Sequence, residues 1–397
     1  MKCAVPLLAV CAGLLLGGCA TLSAPFRREP PRPGRTKLGS PLVMLPAQTL
    51  GNYLIVESKW DRYGPYHFLL DTGSSVTLVT PALAKRYAAS GLPPPDTPHV
   101  RVKSAEGETV ELAATTLGRI ELGDARFDDV PVLIYDCTPL SAHLGIKIDG
   151  ILGFPLFRET VLTLDYPHDR ALLQRPSPTL LVPGTAIPFD DGAKIPLISV
   201  RIGDRTIVAL LDSGRDAPLS LNPFGLDPKY AAAPRTGATV GTLTGDQLQQ
   251  VGRISATLYV GDFPLPRPIV DLTDELSAIG GEILKNFTVT FDQARDRVTF
   301  YRDSHDPIPS PPRRSAGLSF SKTPAYWRVA SVIPGSPAET TSVHPGDLVT
   351  RINGEPLARW NLLRYDQLVA TANDIVFTFL NGTTESDTRI AVFELVP

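Results

Sequence analysis

Two short stretches that repeat each other decide the fold of this chain. Residues 68–73 read Phe-Leu-Leu-Asp-Thr-Gly, and residues 209–214 read Ala-Leu-Leu-Asp-Ser-Gly. In each stretch the leucine pair predicts a buried strand, and the Asp-Thr/Ser-Gly that follows predicts a tight turn in which glycine supplies backbone freedom. One such tripeptide arises by chance in roughly one in six chains of this length. Two copies in matching contexts therefore indicate a repeated structural unit.

The sequence between and after the two stretches repeats as well, which predicts a duplicated architecture. The spacing between matching residues drifts from 141 to 127 along the repeat, so insertions and deletions are expected in loops. We predict two related lobes, at residues 43–175 and 190–302. The matching positions are Gly107 with Gly245, Gly123-Asp124 with Gly261-Asp262, Gly153 with Gly281, Leu164-Asp165 with Phe291-Asp292, and Asp169-Arg170 with Asp296-Arg297.

Each lobe is predicted to consist of short strands. Residues 54–56, 67–70, 109–112 and 161–164 are apolar or β-branched runs bounded by Gly, Pro, Asp or Asn. The 39 prolines and 32 glycines of the 397-residue chain indicate many turns. Helical patterning is nearly absent, and only residues 81–87 fit a short helix. We therefore predict a mainly β fold with a partly open barrel in each lobe.

Over most of residues 43–302 the chain resembles the retropepsin-like and pepsin-like aspartic proteases. The resemblance implies two tandem acid-protease lobes, each with an Asp-Thr/Ser-Gly loop against a hydrophobic-hydrophobic-Gly segment, and a glycine-tipped hairpin that acts as a flap. It implies that Asp71 and Asp212 are catalytic, and that the hydroxyls of Thr72 and Ser213 lock the two loops together. The implied supporting residues are Thr72, Gly73, Ser74, Gly153, Ser213, Gly214 and Gly281, and the implied flap residues are Ser104, Gly107, Thr242 and Gly245.

Two aspartates suit peptide hydrolysis because two carboxylates a few ångströms apart cannot both ionise easily and therefore share a proton. The ionised partner activates a water, and the protonated partner stabilises the developing charge on the scissile carbonyl. The chemistry requires no metal, cofactor or covalent intermediate. The expected substrate is an extended polypeptide that pairs with the flaps as an added strand. We expect a monomer; in the alternative architecture, lobe one pairs with its copy in a second chain.

Lobe two departs from the family pattern immediately after its Asp-Ser-Gly. Ser74 and Ser75 of lobe one are replaced by Arg215 and Asp216. A cation at position 215 favours the ionised form of Asp212, unless Asp216 pairs with it and cancels the effect. The outcomes left open are a biased dyad, a neutral pH optimum, or an inactive second site. The alternative function is therefore a non-catalytic, peptide-binding adaptor with a degenerate protease fold.

Other functional classes find little support in the sequence. The six histidines show no His-Glu-x-x-His or similar ligand spacing, and no Gly-x-Ser-x-Gly elbow occurs. A net charge of −3 gives no basic field, so nucleic acid is not an expected partner. Cys137 follows an apolar run and is interpreted as a packed residue, and His67 as a packed or surface histidine.

The C-terminal segment has a second set of signals behind a proline-rich linker at residues 303–315. Gly-Leu-Ser-Phe at 317–320, Ser-Pro-Ala at 336–338 and Ile-Asn-Gly at 352–354 together resemble a PDZ domain over residues 316–397. The resemblance implies that Leu318, Ser319 and Phe320 present backbone N–H groups to the carboxylate of a peptide's C-terminal tail, beside a helix near residues 363–371. The alternative is a PDZ fold that only packs against the protease lobes.

The N-terminus has the pattern of an export signal. Lys2 precedes an apolar run at residues 4–16, which ends in Leu-Gly-Gly-Cys. This resembles a bacterial lipobox and implies a lipoprotein signal peptide at residues 1–19, with Cys19 lipidated. Residues 20–42 are rich in Pro and Arg and are interpreted as a tether. Ala20 after the lipobox implies lipid anchoring in the outer membrane of the cell envelope, facing the periplasm.

Overall fold

A computed structural model describes residues 34–89, 99–104, 107–241, 246–304, 306–322 and 326–397. The predictions for the signal peptide, Cys19, Thr242 and Gly245 lie outside these residues. The described part is mainly β, as the sequence predicts. None of its helices is long and apolar enough to cross a membrane.

Lobe one contains eleven strands among the described residues, with short connections that match its turn-rich sequence. Its helices are α1 (Pro81–Tyr87) and α2 (Thr138–Leu144), with 3₁₀ turns at Phe154–Phe157 and Tyr166–His168. Helix α1 coincides with the predicted residues 81–87. The strands are β1 (Thr36–Leu38), β2 (Leu42–Leu50), β3 (Tyr53–Trp60), β4 (Tyr63–Asp71), β5 (Thr77–Val79), β6 (His99–Lys103), β7 (Thr109–Leu122), β8 (Ala125–Ile134), β9 (Gly150–Gly153), β10 (Val161–Asp165) and β11 (Arg170–Gln174).

Lobe two has a similar order of strands, although no helix corresponds to α1 or α2 in its described residues. It has one short helix, α3 (Gly281–Leu284), and a 3₁₀ turn at Gln293–Arg295. The strands are β12 (Thr185–Asp190), β13 (Leu197–Ile202), β14 (Arg205–Asp212), β15 (Leu219–Leu221), β16 (Tyr230–Gly241), β17 (Asp246–Ile254), β18 (Leu258–Val260), β19 (Phe263–Leu265), β20 (Ile269–Leu272), β21 (Ala278–Gly280), β22 (Thr288–Asp292) and β23 (Arg297–Tyr301).

The C-terminal domain consists of a six-stranded sheet and a separate two-stranded sheet, with one α-helix among its described residues. The helix is α4 (Leu362–Thr371), close to the predicted residues 363–371, and 3₁₀ turns lie at Pro337–Thr340 and Leu357–Arg359. The strands are β24 (Arg313–Ser315), β25 (Leu318–Lys322), β26 (Trp327–Val332), β27 (Leu348–Ile352), β28 (Glu355–Pro356), β29 (Asp374–Asn381), β30 (Thr384–Ala391) and β31 (Phe393–Val396).

An antiparallel sheet in the order β2-β11-β10-β22-β23-β12 joins the two lobes within one chain. Its centre is the pairing of β10 with β22, in which Thr163 faces Thr290 and their hydroxyls lie 2.9 Å apart. Because equivalent strands meet there, the pairing relates the lobes by a local twofold. One continuous apolar core extends through both lobes.

The observed lobe boundaries differ slightly from the predicted ones. Strand β1 lies inside the segment interpreted as a tether, yet it pairs with β8 and buries Leu38. Strand β12 begins five residues before the predicted start of lobe two, because Thr185 already pairs with β23. Strand β1 reads Thr-Lys-Leu and has one apolar residue, so its composition does not reveal the pairing.

Arg253, which is buried, and Arg313, which is partly buried, attach the C-terminal domain to lobe two. Arg253 on β17 donates to the carbonyl oxygens of Arg267, Ser310 and Pro397, and Arg313 donates to Asp271 at 2.8 Å. A small apolar cluster, which includes Val251 and Leu395, lies beside these contacts. The linker is therefore held against lobe two at two points: Arg253 of lobe two binds Ser310 of the linker, and Arg313 of the linker binds Asp271 of lobe two.

Candidate active site

The two repeated stretches bring their aspartates to the ends of equivalent strands. Strand β4 ends at Asp71 and runs parallel to β9, with Asp71 opposite Gly153. Strand β14 ends at Asp212 and runs parallel to β21, with Asp212 opposite Gly280. The predicted match of Gly153 with Gly281 is therefore wrong by one residue. Gly281 instead begins α3, and an added Cβ there would overlap the Asn52 carbonyl oxygen of lobe one.

Thr72 and Ser213 join the two aspartate loops through a reciprocal set of buried hydrogen bonds. The Thr72 hydroxyl donates to the Leu211 carbonyl at 2.7 Å and accepts the Ser213 N–H at 3.1 Å. The Ser213 hydroxyl donates to the Leu70 carbonyl at 2.8 Å and accepts the Thr72 N–H at 2.9 Å. Each hydroxyl thus satisfies two backbone groups of the other lobe, and the two loops are held in fixed register.

The glycines of the two loops let the carboxyl groups approach each other. An added Cβ at Gly73 would overlap the Asp212 carboxylate, and one at Gly214 would overlap the Asp71 carboxylate. Asp71 accepts the N–H groups of Gly73 at 2.9 Å and Ser74 at 3.0 Å, and Asp212 accepts the Gly214 N–H at 3.0 Å. Each carboxylate therefore lies against the opposing loop.

The pairing changes the acidity of Asp71. Desolvation raises the pKa of the Asp71 carboxyl well above its usual value, and the charge of Asp212 raises it further. The backbone N–H groups of Gly73 and Ser74 oppose the shift. Because the anionic form of Asp71 is disfavoured beside Asp212, the pair tends to hold one proton.

A glycine-tipped hairpin of lobe one reaches lobe two. At the turn between β6 and β7, the Ser104 N–H donates to the Glu108 carbonyl, and Gly107 has a φ of +90°. The Gly107 backbone lies against the Glu275 carboxylate of lobe two, and Lys103 forms an ion pair with Glu275 at 2.6 Å. The predicted flap of lobe one thus contacts the opposite lobe.

Comparison with protein families agrees with these features. A family model of aspartyl proteases matches residues 57–156, which include Asp71 and Gly153, and a PDZ-domain model matches residues 310–377. The chain contains an aspartyl protease domain followed by a PDZ domain. This confirms the predicted mainly β fold with its protease and PDZ parts. No curated protein matches the chain.

Ser74 of lobe one and Arg215 of lobe two occupy equivalent positions, and they make different contacts with the neighbouring aspartates. The Ser74 hydroxyl donates to the Val76 carbonyl at 2.7 Å, so only its N–H reaches Asp71. The Arg215 Nε lies 3.4 Å from Asp212 Oδ2, and the Arg215 Nη1 donates to the Ser220 hydroxyl. Only 12% of the Arg215 side chain is exposed, so this cation acts on Asp212 with limited screening.

Asp216 does not cancel the charge of Arg215. Its backbone carbonyl accepts the Asn52 amide of lobe one at 2.8 Å, and its Oδ1 is buried without a hydrogen-bond partner among the described residues. Burial raises the pKa of the Asp216 carboxyl, and the cation that opposes the shift most is Arg313. The expectation that Asp216 could pair with Arg215 is therefore wrong.

Tyr53 lies near the second aspartate loop, because the preceding residue, Asn52, binds the Asp216 carbonyl, and sequence reasoning missed it. It is buried, and its pKa is raised well above the usual value by burial and then by the charges of Asp216 and Asp212. A protonated phenol therefore lies close to the second aspartate loop. Tyr53 follows a turn that is far from Asp71 in sequence, and no local motif marks it.

Three other residues considered in the sequence analysis, Cys137, His67 and Asp165, are packed or bound by neighbouring side chains. Cys137 is buried, and burial raises its pKa to about 12, which leaves the thiol protonated. His67 pairs with Glu57 at 3.6 Å. Asp165 accepts hydrogen bonds from His168, Arg170 and Thr288, in keeping with a strand-ending turn.

The predicted peptide-binding residues of the PDZ domain lie on β25. Leu318 and Ser319 are buried and pair with β26. Phe320 packs edge-on against Tyr365 of α4, with ring centroids 5.7 Å apart. We refer to the space between β25, an edge strand of its sheet, and α4 as the PDZ groove. The contact between Phe320 and Tyr365 gives this groove an aromatic floor.

Proposed function

We propose that this chain is an aspartic endopeptidase that hydrolyses peptide bonds of extended polypeptides with an Asp71/Asp212 dyad. The observation that carries the proposal is the reciprocal Thr72–Ser213 contact, because it holds the two carboxyl groups face to face. In this proposal, lobe two is a second protease lobe and completes the site within one chain.

The arrangement gives the two aspartates different roles. Arg215 stabilises negative charge on Asp212, whereas the surroundings of Asp71 favour its protonated form. Asp212 is therefore the general base that takes a proton from the attacking water. Asp71 is the general acid that donates its proton to the scissile carbonyl oxygen as the tetrahedral intermediate forms.

Breakdown of the intermediate restores the starting state. Asp71, now ionised, takes a proton from a hydroxyl of the intermediate as the carbonyl re-forms. Asp212, now protonated, gives its proton to the leaving amine as the C–N bond breaks. The products are a carboxylic acid and an amine, and the dyad again holds one proton on Asp71.

We further propose that the enzyme acts in the bacterial envelope, anchored through lipid on Cys19, and that the PDZ domain binds peptide C-termini at Leu318, Ser319 and Phe320. The signal and lipobox pattern of residues 1–19 supports the location. The match to the PDZ family supports the peptide binding. Substrates are then unfolded or extended segments of envelope proteins.

A cleavage assay on a peptide library and on an unfolded protein tests the catalytic proposal. We expect cleavage by the wild type and a loss of at least about 10³-fold in Asp71→Asn and in Asp212→Asn, since neither carboxylate acts alone. Thermal unfolding should show that both variants are folded. Full activity of Asp212→Asn would exclude the intrachain dyad. Peptide binding without cleavage by the wild type would favour the adaptor alternative, which the contact of Arg215 with Asp212 keeps open.

A further inference from the structure

A helix of the protease domain contacts both elements that border the PDZ groove. Helix α2 of lobe one contacts both walls of the groove, β25 and α4, and the lobe-two strand β16 contacts β25 as well. Gly145, which ends α2 with a φ of +74°, lies so near the first turn of α4 that an added Cβ would be 2.7 Å from that of Asn361. A peptide that entered the groove would have to displace this contact.

Charged and polar side chains line the contact. The Lys322 ammonium, at the end of β25, lies 4.9 Å from the centroid of the Trp327 ring. The charges of Asp366 of α4 and Asp216 of lobe two act to raise the pKa of Lys322, and the Lys322 charge acts on His143 of α2. Burial lowers the pKa of Lys322 to about 8, and burial together with the Lys322 charge lowers the pKa of His143 to about 3. At neutral pH the histidine is therefore uncharged beside a mostly protonated lysine.

Helix α2 belongs to the fold of lobe one and is not a loose segment. Leu144 lies in a buried apolar cluster with Cys137 and Ile148. The Ser141 hydroxyl donates to the Cys137 carbonyl at 2.7 Å and accepts the Ile148 N–H at 2.9 Å. The helix can leave the groove only if these lobe-one contacts adjust or the two domains separate.

We propose that helix α2 is an internal competitor for the PDZ groove, and that a peptide with a free C-terminal carboxylate binds only by displacing α2 from β25 and α4. The proposal rests on the peptide-binding part of the proposed function and is independent of proteolysis. It assigns to residues 138–145 the role of keeping the groove closed until a suitable tail is present.

Opposite substitutions at His143 test the competition, in the full chain carrying Asp71→Asn so that peptides are not cut. His143→Lys places a second ammonium beside Lys322 and weakens the closure, whereas His143→Asp pairs with Lys322 and strengthens it. Fluorescence anisotropy of labelled peptides with randomised C-terminal residues should show roughly threefold tighter binding to His143→Lys and roughly threefold weaker binding to His143→Asp. The same peptides with an amidated C-terminus should not bind.

The control is the same pair of changes at His99, an exposed residue of β6, which should leave peptide affinity unchanged. Hydrogen exchange provides a second readout: the free-carboxylate peptides should accelerate exchange of amides 138–145. Equal affinities for both His143 variants, changes in the same direction, or slower exchange in α2 would overturn the proposal. Failure of all variants to bind peptides would overturn it too, whatever the cleavage assay shows for the dyad.

Discussion

The two aspartate loops have the same backbone and different neighbours. In both, Asp Oδ1 accepts the N–H of the following glycine, and a parallel strand lies opposite. In lobe one the next residue is Ser74, whose hydroxyl turns to its own loop, and in lobe two it is Arg215, whose guanidinium turns to Asp212. The repeated fold thus makes the carboxyl groups geometrically equivalent, and one substituted side chain makes them chemically unequal.

The largest effect, on the free energy of unfolding, should come from the hydroxyls of Thr72 and Ser213, at which the two lobes are alike. Thr72→Val and Ser213→Ala each remove a hydroxyl that serves two buried backbone groups. Each change should lower the free energy of unfolding by about 2–4 kcal/mol, measured by denaturant titration. The double variant should lose less than the sum, because both hydroxyls belong to one network.

Thr80→Val is the matched control for these variants. The Thr80 hydroxyl is buried without a hydrogen-bond partner among the described residues, so its removal should be neutral or stabilising. A strongly unequal cost for Thr72→Val and Ser213→Ala would mean that one lobe dominates the contact. Additive costs would mean that the four hydrogen bonds do not act as a unit.

A smaller effect, on the pH dependence of activity, should come from Arg215, the position at which the two aspartate loops differ. Activity needs one proton on the pair: the acid limb of the pH profile reports gain of a second proton, and the basic limb reports loss of the proton that Asp71 holds because its pKa is raised. A nearby cation favours both deprotonations. In Arg215→Ser both limbs of kcat/KM should therefore move to higher pH, by roughly one pH unit.

Arg215→Lys separates charge from shape in this experiment. A lysine ammonium keeps the positive charge near Asp212, so the limbs should stay close to those of the wild type. If both limbs of the pH profile of kcat/KM stay in place in Arg215→Ser, the guanidinium does not bias the dyad. The assignment of Asp212 as the general base would then lose its support.

Sequence reasoning succeeded where a local pattern carries the structure. Helix α1 and the groove helix α4 fall within one residue of the predicted positions. The burial of Cys137 also follows from the apolar run before it. The strands that carry the aspartates are predicted correctly because the same pattern of buried strand and turn occurs twice in the sequence.

The parts that failed depend on register or on contacts between distant residues. Ile279 precedes two adjacent glycines, and only the pairing of β14 with β21 shows that Gly280 lies opposite Asp212. Asp216 is bound by Asn52, which is 164 residues away, so its turn away from Arg215 has no local signal. The contact of α2 with the PDZ domain likewise depends on the assembled lobes.

The smallest effect should come from the flap of lobe one and its contact with lobe two. The lobe-one flap is held to lobe two by the exposed ion pair of Lys103 with Glu275, whereas the lobe-two strand β16 packs on the PDZ domain. An exposed ion pair contributes about 0.2–1 kcal/mol. Glu275→Gln should therefore raise KM for a cleaved peptide by less than about fivefold, leave kcat nearly unchanged, and have no effect in high salt.

Glu111→Gln, which breaks the exposed pair with Arg101 inside the same flap, should leave KM unchanged. Equal effects of the two changes would mean that the stiffness of the lobe-one hairpin affects KM and that its contact with lobe two does not.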